Sequence, residues 1–203
     1  MIPAGRRGRP ATAMLSIAAV LLLAALAACS SPEPVLYTIA PAQGPVQPRE
    51  PKVVLVQQVA IAHFLERSQI VRSSENYRLD VLVNDWWGEP LAPMLSRVLV
   101  EELGQRLPQS TVIADNGAVT ARPDATVEVN IQRLDEDAAG SLVLQAQAAV
   151  RATGRSQPEL RNFRFSVPPT SSGVGGEVAA ISTAVGKLAD GVAAMLARLA
   201  PRA

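Results

Sequence analysis

Hydrophobic and polar positions follow three rhythms along the chain. Met14 to Ala28 is a run of 15 residues, apolar except for Ser16. From Lys52 the apolar residues become β-branched or alternate with polar ones, the period of a strand with one buried face. "KVVLVQQVAI" predicts a core strand, and "QIVRS" (69–73) and "YRLDVLV" (77–83) predict a hairpin across Ser74-Glu75-Asn76. "STVIAD" (110–115) is a further short strand. "DATVEVNIQRL" (124–134) turns Ala125, Val127, Val129 and Ile131 inward, "SLVLQAQAAVRATG" (141–154) turns Leu142, Leu144, Ala146 and Ala148 inward, and "ELRNFRFSV" (159–167) sets Leu160, Phe163 and Phe165 between arginines.

The third rhythm steps by three and four. Leu91, Met94, Leu95, Val98, Leu99, Leu103 and Leu107 form one stripe, closed by Pro108. Val178, Ile181, Val185, Leu188, Val192, Met195 and Leu199 form a narrower one. That spacing suits a coiled coil, but in a single α/β domain it suits a helix lying on a sheet. Gly186 and Gly191 lie off this seam and permit close backbone approach. The order of elements predicts a single α/β (α+β) domain, a mostly antiparallel sheet covered by two amphipathic helices.

The apolar run at the start has a different meaning. It is shorter than the about 20 residues that span a bilayer. Arg6, Arg7 and Arg9 precede it and small residues end it, the order of a secretory signal. Leu26-Ala27-Ala28-Cys29 resembles the lipobox of bacterial lipoproteins, with Sec preferred over the twin-arginine route. Cys29 is the only cysteine, so no disulfide can form. It is therefore the expected lipidation site, with residues 1–28 a cleaved signal peptide. Ser30 in place of aspartate resembles the outer-membrane default of lipoprotein sorting. Residues 29–51 carry prolines at 32, 34, 41, 45, 48 and 51 and read as a tether, with 35–39 as an edge strand. Residues 52–203 are then the periplasmic domain.

Charge narrows the partners. Removing residues 1–28 leaves 16 basic against 18 acidic side chains, a net charge of −2. Neither a basic patch nor an aromatic platform for nucleic acid is expected, since aromatics make up 3% of the chain.

No catalytic array stands out. His63 is the only histidine and falls between two strands, a loop position. "SSGVGGE" (171–177) lacks the Lys-Ser/Thr of a phosphate loop and reads as a helix lead-in. Asp135-Glu136-Asp137 reads as a solvated turn. One cysteine and one histidine rule out a structural zinc site. The expectation is a non-enzyme with no cofactor and no metal.

Residues 53–108 resemble the ABC-type transport auxiliary lipoprotein family, the lipoproteins that accompany transporters carrying an MCE-domain protein. The resemblance rests on "YTIAP" (37–41), "VLVQQVAIAHFLERSQIV" (54–71) and "NYRLDVLVNDWWGEPLAPMLSRVLVEELGQRLP" (76–108), with Trp87, Glu89, Pro90 and Leu91 opening the helix. Trp86 is an addition to the family pattern. The resemblance implies an outer-membrane lipoprotein facing the periplasm, anchored by its acyl chains and docking a periplasmic MCE assembly in lipid trafficking, with homo-oligomerisation open. Pro90 suits a helix's first turn and Glu89 its positive end. Trp87 is expected to pack against that turn, and Trp86, pointing the other way, is the candidate for an exposed partner contact. Trp86, Trp87 and Glu89 are thus the candidate partner-binding residues. Two other readings stay open: another envelope adaptor, such as an assembly factor or cell-wall-synthase activator, and an envelope hydrolase running through His63.

Overall fold

The computed structural model describes residues 33–199. The expected signal peptide, residues 1–28, and the expected lipidation site Cys29 lie outside the described residues. Nine strands make one sheet: β1 (Val35–Tyr37), β2 (Val53–Val56), β3 (Ala60–Ile61), β4 (Gln69–Ser73), β5 (Asp80–Trp87), β6 (Thr111–Ala114), β7 (Ala125–Glu136), β8 (Leu142–Ala152) and β9 (Glu159–Val167). Two helices, α1 (Leu91–Arg106) and α2 (Val174–Leu199), share one core with it.

β7 is the axis. One of its edges pairs antiparallel with β8 over its length, and β8 with β9. Its other edge takes three strands in turn, all parallel: β2 at Ala125–Val127, β3 at Asn130–Ile131 and β4 at Glu136. β6 pairs parallel outside β2, β5 antiparallel outside β4, and β1 parallel outside β5. The sheet is therefore mixed, with five parallel ladders and three antiparallel ones. The expected mostly antiparallel sheet is corrected here. The hairpin and meander are antiparallel as their short turns require, but β2, β3 and β4 reach β7 from far along the chain, and such long connections allow parallel pairing.

The expected inward residues of β7 and β8 are buried, from Ala125, Val127, Val129 and Ile131 to Leu142, Leu144, Ala146 and Ala148. A register shift between Ile131 and Arg133 moves the inward phase on to Leu134. On β9, Phe163 is buried, whereas Leu160 lies on the opposite face and is exposed.

Every apolar stripe residue of α1, from Leu91 to Leu107, is buried. α2 is the one helix among the described residues long and apolar enough to cross a membrane. Its seam is instead buried in the core against β8, β9 and α1. A Cβ added at Gly191 would overlap the ring of Phe163, so α2 approaches β9 only because that position is glycine.

The proline-rich segment departs from the tether reading. β1 forms as expected, but Ile39 is buried and residues 39–51 run along both helices as a strap. Backbone polar groups without a sheet or helix partner need others, and α1 and α2 supply them. The Ile39 N–H meets Met94 S at 3.3 Å, the Ala40 N–H donates to Ser182 Oγ at 3.2 Å, and the Ala42 N–H donates to Glu102 Oε1 at 2.8 Å. The Gln47 N–H donates to the Arg106 carbonyl at 2.8 Å.

Candidate functional site

The corner between β5 and α1 is built by the residues singled out in the sequence. β5 ends at Trp87, whose N–H donates to the Ser68 carbonyl at 2.7 Å, and the Gly88 N–H donates to the Tyr37 carbonyl at 2.8 Å. Trp87 is buried and joins the core, while Trp86 faces the other side of the sheet, half-buried. Its indole N–H donates to the Val83 carbonyl at 2.9 Å. Pro90 occupies the cap position just before α1, with the Met94 N–H donating to its carbonyl at 3.2 Å. Glu89 accepts two bonds from the Arg97 guanidinium, at 2.5 and 3.2 Å, so an arginine two turns along is fixed over the helix start.

Between this corner and the 3₁₀ turn His63–Leu65 lies a cleft of about 630 Å³, with Ile61, Arg67, Trp87, Glu89 and Pro90 in its walls. A second, more apolar cleft of about 430 Å³ lies between α1 and β6, against Val56, Val100 and Ala114. Both touch Gln58 and Pro93, so they lie side by side as a two-part groove over the first half of α1. Arg67 and Glu89 line the first cleft, and Arg97 and Asp115 stand beside the aliphatic residues of the second. The structure thus brings Trp87 and Glu89 to one site and sets Trp86 on another face.

The other positions weighed for chemistry are committed elsewhere. His63 is almost fully exposed and its Nδ1 lies 2.9 Å from Glu66. Asp135-Glu136-Asp137, expected as a solvated turn, is partly structural. Asp135 is buried and accepts from Ser74 at 2.6 Å and from Arg133 at 2.7 Å, because β7 runs on through Glu136. Burial pushes the Glu136 carboxyl above its ordinary pKa. Asp137 accepts from the backbone N–H groups of Ala139 and Ser141 and closes the turn. Among the described residues, no three His, Cys, Asp or Glu side chains are placed to hold a metal ion.

One constellation was not anticipated. Arg106 is fully buried and spends its donors on Asp190 at 2.6 Å, the Ala42 carbonyl at 3.1 Å, the Glu102 carbonyl at 3.0 Å and the Gly186 carbonyl at 3.0 Å. A Cβ at Gly44 would overlap its guanidinium, and one at Gly186 would crowd Ala42. Glu102, one turn earlier, is also fully buried; among the described residues its Oε2 has no partner. Burial pushes its pKa up to about 7, against the pull of the Ala42 N–H and Arg106. The signal was present in the sequence: the row Val98, Glu102, Arg106 starts apolar and ends with opposite charges four residues apart beside the leucine stripe.

A family model described as "ABC-type transport auxiliary lipoprotein component" matches residues 35–193. The chain belongs to that family. The match spans β1, the strap, the Trp87–Glu89 corner and most of α2. Among solved structures, this auxiliary lipoprotein is similar in fold to a Xanthomonas campestris protein of the family model DUF330, at 17% identity and TM-score 0.69, covering 81% of this chain and 95% of that one. A second structure, titled only as an uncharacterized protein, gives 19% identity and TM-score 0.67 over 80% of this chain and 98% of that one. No curated protein matches the sequence.

Proposed function

We propose that this auxiliary lipoprotein is anchored in the outer membrane through Cys29, faces the periplasm, and serves as the accessory subunit of an MCE-type transport system that moves lipids across the envelope. It does no chemistry of its own. The observation that carries this reading is the family match over residues 35–193, which covers almost the whole folded domain. The resemblance of residues 53–108 to lipoproteins that accompany MCE transporters supports the finer assignment.

The strap changes how such a subunit works. A free tether from Ser30 to Pro51 would reach about 70 Å. With residues 39–51 fixed along α1 and α2, only the few residues between Cys29 and β1 are left as spacer. The domain then stays beside its membrane and the MCE assembly must come to it. The groove over α1 is the docking site in this reading, with the Glu89–Arg97 pair running from the first cleft to the second and Val100 in the second.

Affinity capture of the full-length protein from detergent-solubilised envelopes tests the assignment. The expected co-purifying component is an MCE-domain protein with its permease and ATPase. Recovery of an outer-membrane barrel or a cell-wall synthase alone would replace it with the adaptor reading.

A further inference from the structure

We infer that the outward face of β1 and β5 is a membrane-contact surface, and that its occupant is the bilayer holding the Cys29 acyl chains. This rests on the lipidation proposed above.

The surface is built from apolar side chains that the core does not take. Leu36 is 63% exposed and sits directly opposite Trp86 in the parallel β1–β5 register. Both point away from Tyr37 and Trp87, which turn toward the core. Val83 is 79% exposed. It lies where the hairpin register is irregular: from the pair Gln69–Trp86 to the pair Val71–Val81, β4 advances two residues and β5 five. The Trp86 indole N–H donates to the Val83 carbonyl, so the ring's polar atom is satisfied locally and part of its carbon surface remains exposed.

Chain length decides what can cover this surface. Val35 follows Cys29 by six residues, at most about 20 Å of extended backbone. The strap prevents any slack further along from lengthening that span. A headgroup layer is about 6 Å deep on each side of the hydrocarbon, so β1 is held within a few such depths of the acyl chains. Tryptophan is the side chain that membrane–water interfaces enrich. Beside it, Leu36 and Val83 supply apolar carbon at the anchored end of the domain.

The test uses the full-length lipidated protein in phosphatidylethanolamine/phosphatidylglycerol vesicles with brominated acyl chains, reading tryptophan emission and vesicle flotation in one preparation. Trp87 is buried and serves as the internal reference. The expected result is flotation with loss of emission on bromination, a loss that disappears in Trp86→Phe and shrinks in Leu36→Lys and Val83→Asp. These three residues sit outside the hydrophobic core, so the variants are expected to fold. Flotation with emission indifferent to bromination would overturn the contact and leave the anchor standing. Failure to float would overturn both. A change in emission that follows protein density and ignores bromination would assign the patch to a second copy, and also overturn the inference.

Discussion

Arg106 at the end of α1 and Asp190 within α2 form a 2.6 Å ion pair in which the cation is fully buried. The same guanidinium holds the carbonyls of Ala42 and Gly186, so one side chain joins two helices and the strap. Arg106→Met removes the donor and leaves those acceptors without their partner. The unfolding free energy is expected to fall by about 3 kcal/mol or more. Asp190→Asn, at a partly exposed position, is expected to cost about 1 kcal/mol. Urea unfolding of both variants measures the difference.

Gly44 tests the strap by shape alone. An alanine there would overlap the Arg106 guanidinium, so either the arginine or the strap must move. The expected result for Gly44→Ala is destabilisation of about 1–3 kcal/mol together with new cleavage by trypsin at Arg49 or Lys52. Resistance equal to wild type would mean that the strap is held by other contacts.

Glu102 makes stability depend on pH. Its carboxyl titrates at about 7 in the folded chain, well above its ordinary value, because burial disfavours the charge. Between the unfolded and folded pKa values the native state binds more protons. Stability therefore falls as pH rises from about 4.5 to about 7 and is flat above that for this group. Glu102→Gln keeps an acceptor for the Ala42 N–H and removes the charge. The variant is expected to gain roughly 3 kcal/mol over wild type at pH 8, an order-of-magnitude figure, and little at pH 4. Denaturation midpoints at the two pH values check it.

The two halves of the docking corner should separate in stability measurements. Trp87 is core, and Trp87→Ala is expected to cost about 3–5 kcal/mol. The Glu89–Arg97 pair is partly exposed on both sides, so Arg97→Ala is expected to cost under about 1 kcal/mol. If the groove docks a partner, Arg97→Ala nonetheless weakens co-purification while thermal unfolding is nearly unchanged.

Much of this fold was legible in the chain. Both helices, the β4–β5 hairpin, the β7–β8 alternation and the close approaches at Gly186 and Gly191 follow from local spacing and residue size. Partners across β7 were not legible. Periodicity tells which face Val54 or Val127 turns inward, and nothing in it says that their strands run the same way. The strap was misread for a related reason. Prolines deny a segment its own ladder, yet Ile39, Ala42 and Gly44 are held by hydrogen bonds and shape that only α1 and α2 together supply. At the candidate site, Trp87 and Glu89 were found because a tryptophan before Glu-Pro-Leu marks a helix start. Gln58, Pro93 and Val100 join them only through the packing of α1 on the sheet.

The most direct test of docking places a photoreactive amino acid at position 89 in the full-length lipidated protein in living cells. After illumination, the expected result is a covalent adduct with the periplasmic MCE-domain protein, reduced by Arg97→Ala. An adduct confined to other envelope proteins, with the transporter intact and expressed, would contradict it.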